Sequence, residues 1–188
     1  MELENNEKRT FVISDLHLDH TNIIRYCERP FSSIEEMNKI IIKNWNETVK
    51  QDDAVYFLGD MSFGRESRKI DYWKDKLSGN ISFIKGGHDR SKEIKFSDSF
   101  VLWHRGNKFL LIHDPKKVPE KWEGCWIIHG HCHNNDLKNY PFINGKKKTI
   151  NVSVELINYT PLNMDKLFEL DFKNIDIMET IDSKPMRR

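Results

Sequence analysis

The chain has 188 residues, of which 38% are hydrophobic and 31% charged, and this composition is that of a globular protein. The length corresponds to one domain, predicted over residues 1–181 with a mobile tail at 182–188, and fibrous, low-complexity and wholly disordered classes are excluded. Because 30 Lys and Arg residues balance 29 Asp and Glu residues, the net charge of +1 provides no global attraction to nucleic acid or anionic lipid.

The termini and the cysteines indicate a cellular environment. The first ten residues are polar, and no apolar run approaches the roughly 20 residues of a membrane span. Cys27, Cys125 and Cys132 lie in no paired CxxC spacing, which is typical neither of a disulfide framework nor of a structural zinc site. We therefore expect a cytoplasmic protein with no membrane partner.

Short apolar runs alternate with longer amphipathic stretches, which is the pattern of an α/β domain. In chain order, helices are predicted over 22–27, from Ser32 or Ser33 to 49, over 66–77 and over 163–167. The second of these begins with a capping-box pattern, because Ser32 and Ser33 are each followed three residues later by a glutamate. Asn144 and Gly145 predict a hairpin turn.

Charged and imidazole groups follow five of the apolar runs. These groups are found in Asp15-Leu16-His17, Gly59-Asp60, Gly86-Gly87-His88-Asp89, His113-Asp114 and His129-Gly130-His131-Cys132-His133. Because ligand crevices form at the carboxyl ends of strands in α/β sheets, we expect these groups to converge. Within Asp15/His17 and His131/His133 the spacing is two, so extended backbone would project each pair from one face. Mixed oxygen and nitrogen donors suit manganese, iron, zinc, cobalt or nickel better than calcium.

The order of these motifs resembles that of the calcineurin-like metallophosphoesterase family. Three further segments are similar to a compact subgroup from bacteria, archaea and phages, namely Arg29-Pro30-Phe31, Asn44-Trp45-Asn46 and Asn151-Val152-Ser153-Val154-Glu155. The resemblance implies an α/β fold in which two mixed sheets are flanked by helices, a four-layer α-β-β-α sandwich.

Carried over position by position, the resemblance also implies two divalent metal ions. Their ligands would be Asp15, His17, Asp60 and His133 for one ion, and the bridging Asp60 with His113 and His131 for the other. The family has an asparagine ligand where this chain has Gly87. The second ion could then use water or a backbone carbonyl, bind more loosely, or be absent.

The implied activity is hydrolysis of phosphate esters, phosphodiesters in particular, by a hydroxide that two metal ions, manganese first among them, generate from water. His88 is the candidate general acid, with a supporting role beside a metal ligand as its alternative, and Asp89 would orient His88 or a ligand. The expected partner is a small phosphate ester or a nucleotide. Nucleic acid has little support from the charge balance, and no oligomeric state is predicted.

A different function remains open at this stage. Some members of the calcineurin-like metallophosphoesterase family lose metal ligands and serve as interaction scaffolds. Gly87 therefore also fits a non-catalytic, metal-stabilised binding module of the same fold. Four tryptophans, Trp73, Trp103, Trp122 and Trp126, are expected to pack the core or its lip rather than to stack on nucleobases.

Overall fold

The computed structural model describes residues 8–64, 67–122 and 124–187. The strands of this part of the chain are β1 (Thr10–Ile13), β2 (Ala54–Phe57), β3 (Asn80–Ile84), β4 (Phe96–Ser97), β5 (Ser99–His104), β6 (Asn107–Ile112), β7 (Trp126–His129), β8 (Ile143–Asn144), β9 (Thr149–Asn151), β10 (Leu162–Asn163), β11 (Ile175–Met178) and β12 (Met186–Arg187). The α-helices are α1 (Thr21–Tyr26), α2 (Ile34–Thr48), α3 (Ile70–Lys74) and α4 (Met164–Glu169).

The strands form two sheets. The first has the order β10-β1-β2-β3-β4, in which β1 to β4 are parallel and β10 is antiparallel. The second has the order β12-β11-β8-β9-β7-β6-β5, with parallel pairs β6–β7 and β7–β9 among antiparallel ones. The predicted fold class, two mixed sheets flanked by helices, is confirmed.

Strand β2 shows how the layers stack. The Tyr56 ring lies 5.4 Å from the Phe100 ring of the second sheet, whereas the next side chain, Phe57, lies 6.5 Å from the Trp45 ring of α2. Since successive side chains of a strand point to opposite faces, the first sheet lies between α2 and the second sheet. Each large apolar side chain buried between these layers contributes about 1.5–3 kcal/mol.

The helices agree with the sequence in α2 and differ in α3. At the start of α2 the Ser33 hydroxyl accepts a hydrogen bond from the Glu36 amide at 3.1 Å, and the Glu36 carboxylate accepts one from the Ser32 amide at 2.7 Å. The predicted helix over 66–77 is too long, and its residue 66 lies outside the described residues. The amide of Arg68 donates to Asp19 at 2.8 Å, so a tertiary contact holds the segment before α3 out of the helix.

The C-terminal region contains one confirmed turn and one difference. Antiparallel pairing of β8 with β9 confirms the hairpin, whose loop spans 145–148, and the Asn144 side chain accepts a hydrogen bond from the Lys147 amide at 3.0 Å. Met186 and Arg187 lie in the predicted tail, yet they pair with β11 as β12. A strand of two residues is too short to show periodicity in the sequence.

The cysteines and helices bear on the predicted environment. Cys27, Cys125 and Cys132 are free thiols, as their spacing indicated. Within the described ranges, none of the helices has the length and apolar character needed to cross a bilayer. The cytoplasmic location itself stays a prediction.

Candidate metal centre

The predicted ligands lie in tight turns just beyond the strand ends. Five of them have left-handed backbone with φ between 48° and 69°, namely Asp15, His17, Asp60, His131 and His133. The expectation of extended backbone for the two pairs is therefore wrong. The turns carrying Asp15 and Asp60 are hydrogen-bonded to each other, because the Asp15 amide donates to Gly59 O at 2.9 Å and the His17 amide to Asp60 O at 3.1 Å. Such backbone costs about 1–3 kcal/mol per residue and is typical of functional sites.

Asp15, His17 and His133 form the first ligand group, with one ligand atom of each within 4.8 Å of the others. Asp15 Oδ1 lies 4.0 Å from His17 Nε2 and 3.8 Å from His133 Nε2. Asp15 Oδ1 and both ring nitrogens of His17 are buried without a hydrogen-bond partner. Burying such atoms unpaired is costly, and a cation between Asp15 and His17 would satisfy Asp15 Oδ1 and the His17 Nε2 that faces it.

Asp60, His113 and His131 form the second ligand group. His113 Nε2 lies 3.4 Å from Asp60 Oδ2. The His113 Nδ1–H group donates to the Leu58 carbonyl at 2.7 Å, which leaves Nε2, buried and without another partner, free to bind a metal. His131, by contrast, is exposed.

Asp60 links the two groups. Its Oδ2 lies 3.4 Å from His113 Nε2 and 3.7 Å from His17 Nε2, whereas its Oδ1 accepts a hydrogen bond from the His88 amide at 2.9 Å. Ligand atoms about 2 Å from a shared ion are separated by about 3–4 Å, so these spacings fit a metal on either side of Oδ2. The donor set present therefore suits divalent metal ions.

A buried ion pair supports the first ligand group. Arg29 and Glu155 meet at 2.6 Å with side chains 0% and 2% exposed. Arg29 also donates to the carbonyl oxygens of Asp15 and Leu16, both at 2.8 Å. Glu155 lies 3.0 Å from His133 Nδ1, and an N–H there turns Nε2 toward Asp15. The pair thus orients two of the three ligands.

Burial and the neighbouring carboxylates together determine which histidines of the site are protonated. Burial lowers the pKa of His17 to about 3, which keeps its ring neutral and able to bind a metal. Burial also opposes charge on His133, but Asp15, Cys27 and Glu155 together outweigh it and raise the pKa to about 11. Burial also opposes charge on His113, but Asp60, whose Oδ2 lies 3.4 Å from Nε2, the charge of Asp15 and the Leu58 carbonyl together outweigh it and raise the pKa to about 9. Divalent cations would replace these protons.

His88 and Asp89 are neighbours in the sequence, but Asp89 is buried and His88 is exposed. The Asp89 carboxylate accepts hydrogen bonds from the amides of Asp60 at 2.9 Å, Met61 at 3.0 Å and Gly86 at 3.0 Å. These bonds hold the backbone of Asp60 and its neighbours, and both roles of Asp89, orienting His88 or orienting a ligand, stay predictions. His88 is exposed, and its ring centroid lies 5.7 Å from that of His17.

Gly87 borders open space. A Cβ atom built there would have no heavy atom within 4 Å, whereas one on Gly86 would collide with the Asp60 carboxylate. Gly87 lines a cleft of about 440 Å³ together with His113 and His131. Three cationic side chains, Lys85, Arg90 and Lys117, line the same cleft together with two carboxylates, Asp98 and Asp114.

Sequence reasoning missed the residues that support the ligands. Arg29, Ser153 and Glu155 were recognised only as parts of motifs, yet all three contact the first ligand group. A charged residue within a motif but without a ligand position is the signal that could have pointed to them. His129, which has no place in the ligand set, is fully buried.

The fold and the site define a class of protein, an α/β domain of two mixed sheets with candidate metal ligands where the strands end. No protein-family model matches the chain. The uncharacterized protein MJ1445 of Methanocaldococcus jannaschii is 49% identical over 165 residues, which cover 87% of this chain and 91% of that protein. The chain therefore belongs to the same family as MJ1445.

Two more distant similarities extend this comparison. The gene 66 protein of Mycobacterium phage L5 is 32% identical over 82 residues, which cover 43% of this chain and 39% of the phage protein. The solved structure of AQ665 from Aquifex aeolicus, a protein of unknown function, has a TM-score of 0.67 and 26% identity, covering 87% of this chain and 100% of that chain. AQ665 thus shares the architecture, whereas membership of the compact subgroup stays a prediction.

Proposed function

We propose that this protein hydrolyses phosphate esters, phosphodiesters in particular, with two divalent metal ions, manganese first among them, held by the first and second ligand groups. One observation carries the proposal: Asp60 Oδ2 lies between His17 Nε2 at 3.7 Å and His113 Nε2 at 3.4 Å. A carboxylate oxygen between two sets of imidazole nitrogens is typical of paired metal ions in phosphoesterases.

Bound divalent cations supply Lewis-acid activation of water and of the phosphoryl group. The chain's own residues provide the other parts of the reaction. His88, exposed beside His17, would donate a proton to the leaving oxygen as the P–O bond breaks. Asp89 keeps Asp60 in place through the backbone amides, and the cationic side chains of the cleft would attract the phosphate anion.

The test compares two histidine variants in the presence of Mn²⁺. The substrates are a dialkyl phosphate and bis(4-nitrophenyl) phosphate, and the proteins are wild type, His88→Ala and the control His104→Ala. The His104 ring pairs with Asp165 at the end of β5 that lies away from the cleft. We expect turnover that a chelator abolishes, and a loss of about 100-fold or more in His88→Ala with the alkyl leaving group. His104→Ala should match wild type.

Two results would contradict the proposal. Equal rates for wild type and His88→Ala with the alkyl ester would remove His88 as the proton donor. Absence of turnover with at most one tightly held ion, counted by elemental analysis, would favour the binding module, for which the open space at Gly87 is the structural motive.

A further inference from the structure

Exposed aromatic rings lie beside the first ligand group. The His20 ring centroid lies 5.4 Å from that of His17, 4.8 Å from Phe63 and 6.2 Å from Tyr26. Tyr26 is 55% exposed and Phe63 39%, so both present apolar ring surface to solvent. We call His20, Tyr26 and Phe63 the aromatic rim.

The rim is attached to the same backbone as the metal ligands. The Phe63 amide donates to Leu18 O at 3.2 Å, and the His20 amide donates to His17 O at 3.1 Å. Tyr26 is the last residue of α1, which begins directly after His20. These connections fix the rings relative to the first ligand group, so a ligand bound there would meet a surface that is already formed.

The aromatic rim adjoins His88, the candidate proton donor. The Phe63 ring centroid lies 4.0 Å from that of His88, which in turn lies 5.7 Å from His17. A leaving group that accepts its proton from His88 would therefore extend over the rim. The cleft at the second ligand group is lined instead by charged side chains of both signs, three cations and two carboxylates, and includes no rim residue. The two sides of the site thus differ in chemistry.

We propose that the aromatic rim binds a planar aromatic group of the substrate, so that preferred substrates are phosphate esters whose leaving alcohol carries an aryl ring or a nucleobase. This inference rests on the proposed function and specifies its substrate class. In the balanced reaction, the oxygen of water bonds to phosphorus and the water loses one proton to solvent. The bond from phosphorus to the leaving oxygen breaks, His88 supplies a proton to that oxygen, and His88 then regains a proton from solvent. Stacking on an aromatic side chain is worth about tenfold in affinity.

The test measures binding without hydrolysis. Calorimetry on the protein supplied with Mn²⁺ compares phenylphosphonate with methylphosphonate, and the methylenephosphonate analogue of AMP with that of ribose 5-phosphate. The P–C bonds of all four ligands are not hydrolysed. We expect the aromatic member of at least one pair to bind about tenfold more tightly. Phe63→Leu and Tyr26→Leu should each lower that ratio to about threefold or less. A preference confined to the AMP analogue assigns the rim to a nucleobase, and one confined to phenylphosphonate assigns it to an aryl group.

The matched control is Trp103→Leu, which removes another exposed ring at the opposite end of β5 from Ser99, a residue of the cleft. This variant should keep the wild-type ratio. Ratios near one in wild type, ratios unchanged in both rim variants, or no binding of any of these ligands would overturn the rim as a binding surface. The proposed function is judged separately: turnover with ratios near one removes only the rim, whereas rim-dependent binding without turnover removes only the hydrolysis.

Discussion

The two ligand groups of the candidate metal centre differ in how firmly the protein holds them. In the first, the buried pair of Arg29 and Glu155 at 2.6 Å fixes His133 and the backbone of Asp15. In the second, His131 is exposed and Gly87 contributes no side chain. Because ligands held in place before binding lose less entropy, we expect the first group to bind its ion more tightly.

The two ligand groups also differ in their access to solvent. The first group lies where the sheets join, since Ser14 and Ser153 form a bridge and the Ser14 amide donates to Val152 O at 3.0 Å. The second group opens onto the cleft lined by Gly87 and His131. A less enclosed ion keeps coordination positions for a substrate oxygen, which catalytic metal sites require.

The largest effect is expected from removing the support of the first group. Arg29→Met leaves the buried Glu155 with His133 as its remaining charged partner and takes the guanidinium donors from the Asp15 and Leu16 carbonyls, so the free energy of unfolding should fall by about 3–5 kcal/mol. Urea unfolding of the metal-free protein measures this. The control Lys43→Met breaks an exposed pair with Glu47 and should cost no more than about 1 kcal/mol. A loss for Arg29→Met no larger than that of the control would show that the pair does not hold the first group.

Replacing one histidine of each ligand group should show that the two ions bind independently. His133→Ala should weaken the tighter ion about 100-fold or more, because it removes a ligand that Glu155 orients. His131→Ala should leave the tighter ion bound and weaken only the other. Titration with Mn²⁺, followed by electron paramagnetic resonance, counts the ions at each affinity. Loss of the same ion in both variants would mean that the groups form a single site.

A side chain with a ligand atom at position 87 should raise the metal affinity of the second ligand group toward that of the first. Gly87→Asn adds an amide oxygen in open space, so we expect about tenfold tighter binding of the weaker ion and a higher rate. The control Gly87→Ala adds a methyl group without a ligand and should change neither. If metal titration and rate are unchanged in Gly87→Asn, another group already occupies that position.

Local patterns in the sequence predicted what depends on neighbouring residues. The capping box of α2 is an example, since Ser33 and Glu36 lie three residues apart and bond as expected. The polar groups after Ile13 and Phe57 were likewise predicted to converge, because strand ends follow from apolar runs. Their convergence is confirmed, whereas their roles as metal ligands stay predictions.

Contacts between distant residues could not be predicted where neither residue follows the end of a strand. Arg29 and Glu155 are separated by 126 positions, and no local pattern shows that they meet. The left-handed backbone of Asp15 depends on a hydrogen bond to Gly59, a residue of another turn. Exposure of the Phe63 ring likewise follows from the packing of turns and not from its own residue type.

The smallest effect is expected from Ser153, which supports the first group by one hydroxyl. Ser153 Oγ lies 2.9 Å from Asp15 Oδ2 and 2.8 Å from Asn151 Oδ1, and its single proton serves one of them at a time. Ser153→Ala should therefore cost about 1 kcal/mol in unfolding free energy and weaken the tighter ion severalfold. Ser183→Ala, which removes a hydroxyl bonded to Thr180 O, is the control and should leave both ions unchanged. If Mn²⁺ titration shows Ser153→Ala weakening the looser ion as much as the tighter one, the two groups share their support, and the contrast between them fails.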